Sequence, residues 1–282
     1  MSASPRPTYD RPTLIRYDQV TRHIWGDEES GKVVDWIYVS SAKIHQLVFS
    51  LPFGGRFRHS ENHRTIFAAD ELYYVISGTF VICNPESGEV HRVNSGEAVF
   101  FGRDTWHHGF NYGTEPLRVL EFFAPPPSQG TSSTYAKTKP NLKEFRYRQE
   151  EWIGKWPMAK SEVNNKFKMK VLRDSDTIWQ IEGNHKHVLT GLILSTDQLT
   201  VGKVFLLPGQ ESEIEVHGGD ESLYLLQGNL TISVEASGAS PWYELKPGDG
   251  FYLPEGVRHQ YQNISNEPAV ALFGVAPHYL SR

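Results

Sequence analysis

Residues 70–82, DELYYVISGTFVI, decide the fold, because residues 220–232 read DESLYLLQGNLTI. At this offset of 150, Asp70/Asp220, Glu71/Glu221, Tyr74/Tyr224, Gly78/Gly228 and Ile82/Ile232 coincide. Further on, GEAVFFGRDTWHHGFN (96–111) lies over GDGFYLPEGVRHQYQN (248–263) at an offset of 152, matching Gly96/Gly248, His107/His259 and Asn111/Asn263. The register continues through Glu115-Pro116/Glu267-Pro268 and Ala124-Pro125/Ala276-Pro277. Upstream, VFSLP ending at Pro52 matches VFLLP ending at Pro208. Three blocks in one order, with small offset changes, describe two copies of one domain. The division expected is an N-terminal arm (1–32), a first copy (33–125), a linker and strap (126–188) and a second copy (189–282).

Composition agrees with two folded units. At 282 residues the prior is two domains, and 39% hydrophobic residues are enough to bury a core. The net charge of −5 gives no basic footprint for a nucleic acid. The single cysteine, Cys83, excludes an internal disulfide. The first ten residues hold no apolar leader, and no run of ~18 apolar residues exists to span a membrane. A soluble, reduced, cytoplasmic protein is expected. Aromatic residues at 12%, 24 Gly and 17 Pro favour many short strands. Leu47–Leu51, Leu72–Ile76, Thr79–Cys83, Ala98–Phe101 and Leu117–Phe123 read as strands punctuated by turn residues, which argues a sandwich or barrel. Residues 125–140 are Pro/Ser/Thr-rich and read as a linker. Lys143 to Trp156 is charged, with Phe145, Tyr147, Trp152 and Trp156 interspersed, and reads as either a short helix or a strap on the first domain.

The second copy carries Gly209, Glu215, His217, Glu221 and Gly228, then Pro247-Gly248-Asp249, Pro254, Gly256, His259 and Asn263. This series resembles the two motifs of the cupin family, and the resemblance covers most of both copies. It implies an all-β fold of two tandem cupin barrels (double-stranded β-helix, or jelly roll). It also implies a divalent metal inside a barrel, held by the motif His and Glu residues.

Glu215 and His217 are two residues apart, so a strand would present both on one side, and Glu221 keeps the same parity. His259 must arrive from another strand. Imidazoles and carboxylates of this kind suit one divalent transition metal, Fe, Mn, Zn, Ni or Co. His217, Glu221 and His259 also make a two-His, one-carboxylate set compatible with non-haem Fe(II). Glu215 stands where the family has its first His, and is either a fourth ligand or a nearby base. Buried carboxylates and imidazoles that merely bonded one another would be costly without a cation.

In the first copy, counting back from Glu71 puts Thr65 and Phe67 at the two His positions. Counting forward from Pro52 brings in His59, Glu61 and His63 instead, because six residues are inserted there (the distance to the Glu is 19 residues rather than 13). Glu71, His107, His59 and His63 are therefore a second candidate site, and a second metal is not expected. Register with His259 turns His107 inward and His108 outward. The aromatic residues near these motifs read mainly as core, with Tyr224, Tyr252 and Tyr261 as candidates to touch a substrate. Arg56, Arg58, Arg64 and Arg103 read as solvated charge; Arg258, next to His259, is a candidate substrate contact. Cys83 reads as packing, and His185 and His187 as loop residues.

Three functions fit. The first is a metal-dependent enzyme acting on a small polar substrate, sugar-like or a keto acid, with isomerase-type Lewis-acid chemistry and Glu215 or Glu221 moving a proton. The second is a non-haem Fe(II) dioxygenase acting on a small aromatic or polyol. The third is a pair of non-catalytic small-molecule binders. The N-terminal arm suggests a homodimer formed by strand exchange.

Overall fold

Strict alternation along the repeated strands builds the architecture. In Asp70–Ser77, Tyr73 and Val75 enter the core of the first barrel, while Leu72 and Tyr74 face the second. In Asp220–Gln227, Leu223 and Leu225 enter the second core, while Tyr224 faces the first. A period of two with both faces apolar makes a strand buried on both sides. The computed structural model describes residues 4–126, 134–150, 153–155, 157, 160–183, 187–235 and 241–281. Trp152, Trp156 and His185 lie outside the described residues.

Each barrel has a seven-stranded sheet facing a smaller one. In the first barrel the large sheet runs Met169–Leu172, Ala98–Phe101, Asp70–Ser77, Leu117–Ala124, His45–Leu51, Gly31–Ser40, Thr21–Asp27. Its partner has four strands, Arg56–Phe57, His108–Asn111, Thr79–Asn84 and Glu89–Asn94. In the second, the large sheet runs Thr13–Ile15, Gly250–Leu253, Asp220–Gln227, Ala269–Ala276, Thr200–Leu206, Val188–Ser195, Ile178–Glu182. Trp242–Leu245, Leu230–Val234 and His259–Gln262 face it. The repeated glycines Gly78 and Gly228 lie between the paired strands at φ +87° and +75°, and a Cβ on Gly228 would stand 2.2 Å from the Pro268 carbonyl oxygen.

The arm and the linker are not appendages. Thr13–Ile15 pairs with Gly250–Leu253, completing the second barrel, and Met169–Leu172 pairs with Ala98–Phe101, completing the first. The arm's edge strand thus finds its partner within its own chain. The segment through Phe145 and Tyr147 is a strap without regular structure, lying on the first barrel: Phe145 packs edge-to-face against His59 and His108.

An apolar layer joins the barrels, with Tyr38, Val48, Leu72, Tyr74 and Phe122 against Val201, Tyr224, Tyr252 and Leu272. At its margin Asp220 accepts from Tyr252 (2.7 Å), from Ser41 (2.8 Å) and Lys43 (3.0 Å) of the first barrel, and from the Glu255 amide (3.1 Å). Burial pushes the Asp220 carboxyl up, but these donors outweigh it and hold its pKa below the ordinary aspartate value. Asp220→Asn should cost about 2 kcal/mol at pH 7, as hydrogen bonds to a charged group do. A folded pKa below the unfolded one means this stability is present above about pH 4 and is lost as pH falls. Urea denaturation at pH 7 and pH 3 should therefore show the gap between wild type and variant closing in acid.

Candidate metal centre

The backbone brings the four second-copy residues together. Glu215 and His259 exchange backbone hydrogen bonds (2.7 and 3.0 Å), which sets the loop carrying Glu215 and His217 against the first residue of His259–Gln262. Glu221 arrives from the large sheet. Ligand atoms of Glu215, His217 and His259 lie within 4.8 Å of one another. Glu221 Oε2 stands 3.2 Å from His259 Nε2 and 3.4 Å from His217 Nε2.

Surrounding groups aim the ligands. His217 Nδ1 is 2.7 Å from the Tyr279 carbonyl, and His259 Nδ1 is 3.1 Å from the Val257 carbonyl. A carbonyl only accepts, so Nδ1 carries a proton and each Nε2 points to the centre. The C-terminal tail can reach His217 because the next two residues are glycines: a Cβ on Gly218 would stand 2.7 Å from the Leu280 carbonyl oxygen, and one on Gly219 2.3 Å from that of Ala276. Tyr261 donates to Glu221 Oε1. Glu221 Oε2 and His259 Nε2, both buried, have no hydrogen-bond partner despite their closeness. Two adjacent but unpartnered buried atoms, in a set of two imidazoles and two carboxylates, are what a divalent cation would satisfy.

The electrostatics agree. Burial pushes Glu221 up, but the positive charge on His259 and His217 outweighs it, so its carboxyl lies well below the usual range. Burial, opposed by His259 and reinforced by Glu221, brings Glu215 up to about 7. Burial pushes His217 down, but the Glu221 carboxylate beside it overcomes that and raises it to about 9. His259 is raised in the same way. The cluster thus draws positive charge, from protons or from a cation.

Of the other candidates, Tyr261 belongs to the centre, and Tyr261→Phe should weaken metal affinity about 10–100-fold, as loss of a group orienting a ligand does. A competition titration against a chelator reads this directly. Tyr224 and Tyr252 do not face the centre. Their parity is opposite to that of Glu221, so Tyr224 packs on Tyr38 and Tyr252 bonds Asp220, both between the barrels. Arg258 turns outward to Glu235, at 2.6 Å. Arg64 bonds the Ala136 and Lys139 carbonyls of the linker, and Arg103 lies over Tyr135. His187 bonds the Gly183 carbonyl in its loop, and Cys83 is buried.

The first barrel brings Glu71 and His107 together, 3.9 Å apart, but not His59 or His63. The His107 amide donates to the Thr65 carbonyl, which fixes the register counted back from Glu71 and places Thr65 over Glu215 and Phe67 over His217. The six inserted residues are used elsewhere. His59 bonds His108 (2.8 Å) and the Leu142 carbonyl (2.9 Å) beneath the strap, and His63 bonds Asp27 (3.0 Å). Tyr73, one of the aromatic residues that the sequence reads mainly as core, puts its hydroxyl 3.1 Å from His107 Nε2. The atom left open on His259 is therefore occupied on His107.

A family model described as "Cupin domain" matches residues 48–123 and 202–275, more than half of the chain. The chain belongs to the cupin family. Among solved structures, this bicupin resembles a putative glyoxylate induced protein from Pseudomonas aeruginosa (13% identity, TM-score 0.67, covering 100% of this chain and 95% of that one). It also resembles the Bacillus subtilis oxalate decarboxylase, in a structure concerned with its Mn(II) centres (16%, TM-score 0.59, 99% and 80%). At these identities the likeness is one of fold. Two curated relatives match over single stretches: Tetracenomycin polyketide synthase protein TcmJ of Streptomyces glaucescens (26% over 96 residues, 34% of this chain) and human Centromere protein C (32% over 107 residues, 37% of this chain). The matches span 62% and 11% of those proteins. No helix among the described residues is long and apolar enough to cross a membrane.

Proposed function

We propose that this bicupin is a metal-dependent enzyme that moves a proton on a small polar substrate, a hydroxy or keto acid or a sugar-like molecule. One observation carries the reading: two imidazoles with their Nδ1 atoms tied back, and two carboxylates, converge in the second barrel with Glu221 Oε2 and His259 Nε2 unpartnered. Glu215, His217, Glu221 and His259 would hold one divalent transition metal, and the Mn(II) centres of the similarly folded Bacillus protein favour manganese. A metal there supplies Lewis acidity towards a carbonyl or hydroxyl pair.

The chain's own residues divide the remaining work. Glu221, 1% exposed and tethered by Tyr261, holds fixed negative charge. The Glu215 side chain, 20% exposed, faces the approach of substrate and carries the proton at its carboxylate. Leu223, Leu225 and Phe251 wall the interior against water.

Incubating metal-loaded protein with oxalate, 2-keto acids, 2-hydroxy acids and aldoses, while following both product and dissolved oxygen, tests the reading. Conversion without oxygen uptake, lost in Glu215→Gln with metal retained, is expected. Stoichiometric oxygen consumption would assign the site to the dioxygenase class instead, through His217, Glu221 and His259. Tight ligand binding with no turnover would make the barrels binding modules.

A further inference from the structure

The first barrel encloses a second cavity, separate from the candidate metal centre. It has about 100 Å³ of room for the centres of water-sized groups, enough for roughly seven to ten such groups. Trp25, Phe49, Phe57, Phe67 and Phe123 form its apolar walls, and the arm residues Ser4–Arg6 line it as well. Two atoms of buried residues on this lining have no hydrogen-bond partner, Nδ1 of His45, whose residue is 7% exposed, and Oγ1 of Thr65, 3% exposed, and Oγ of the half-buried Ser4 has none either. Buried polar atoms are nearly always paired, so both stand ready for a ligand.

The charges select its class. Glu121 lines the cavity, and burial together with the charge of Asp35 pushes its carboxyl well up; burial, with the charge of Arg6, pushes His45 down to about 3, so its imidazole is uncharged. An anion would face Arg6 but lie beside Asp35, so the lining's two opposite charges do not favour it. A cation would find Asp35 already engaged with His23 at 3.3 Å, and would face Arg6.

We propose that this cavity is a binding site for a neutral single-ring aromatic molecule bearing a hydroxyl or carbonyl, with the ring among the aromatic walls and the polar group on Thr65 and His45. Edge-to-face packing of rings supplies the fit. A phenol, with seven non-hydrogen atoms, matches the room available.

Calorimetric titration of the full chain with phenol, benzoate and benzylamine tests this. Phenol should bind once per chain at submillimolar concentration, with benzoate and benzylamine at least tenfold weaker. Thr65→Val, which removes an unpartnered hydroxyl and so should not harm folding, should weaken phenol binding about tenfold. His45→Leu should do the same, and His217→Ala in the other barrel should leave it unchanged. The proposal is overturned if phenol gives no binding, if either charged analogue binds more tightly, if neither Thr65→Val nor His45→Leu weakens it, or if His217→Ala abolishes it.

Discussion

His217→Ala and Glu221→Ala should each empty the second barrel, with metal measured after purification and dialysis falling from about one per chain to below a tenth. Loss of a group that merely orients a ligand costs about 10–100-fold in affinity; loss of the ligand itself should cost more. Either change removes one of only four donors, and His217→Ala also strips Glu221 Oε2 of a neighbour at 3.4 Å. Glu71→Ala in the first barrel should leave the content near one, because the Tyr73 hydroxyl already occupies His107 Nε2 at 3.1 Å. Elemental analysis of the three variants, with circular dichroism to show that each is folded, checks this. Full metal in His217→Ala together with loss in Glu71→Ala would move the centre to the other barrel.

Phe122→Ala should cost about 3–5 kcal/mol, as a buried Phe truncation does when its surroundings cannot close the gap. Phe122 is fully buried in the layer between the barrels. Its ring lies on the bare backbone of Gly274, where an added Cβ would stand 2.6 Å from ring atoms. No side chain at Gly274 can swing in to fill the space, and both neighbours are held in paired strands. Urea denaturation monitored by fluorescence gives the value. A loss under about 1 kcal/mol would mean that the barrels cohere without this layer.

The repeat carried most of the fold because each strand alternates visibly and the turn glycines recur at matching places. The described strands extend the expected ones by a residue or two, as with His45–Leu51 around Leu47–Leu51. Lost from view were the crossed edge strands Thr13–Ile15 and Met169–Leu172, three and four residues long. Segments so short carry no periodicity, and their partners are more than sixty residues away in sequence. At the centre, Glu215, His217, Glu221 and His259 were legible through the motif resemblance, although Glu215 and His217 lie on a loop and not on the strand that their spacing suggested. Tyr224 was misplaced although its parity, opposite to that of Glu221 on the same strand, already turns it away, and Tyr252 because its register against Ser222 is set only by the fold. The backbone carbonyls of Val257 and Tyr279 had no signal at all, since any residue could supply them. The register of the first barrel hinged on where six extra residues fall, which only the hydrogen bond from His107 to Thr65 settles.

The most direct test of the central claim is anomalous diffraction from crystals of the full chain, at the absorption edge of whichever metal elemental analysis finds. The account predicts one peak per chain, in the second barrel, bonded to Nε2 of His217 and of His259 and to the carboxylates of Glu221 and Glu215. No peak there in metal-loaded crystals, or a peak beside Glu71 and His107 instead, would contradict it.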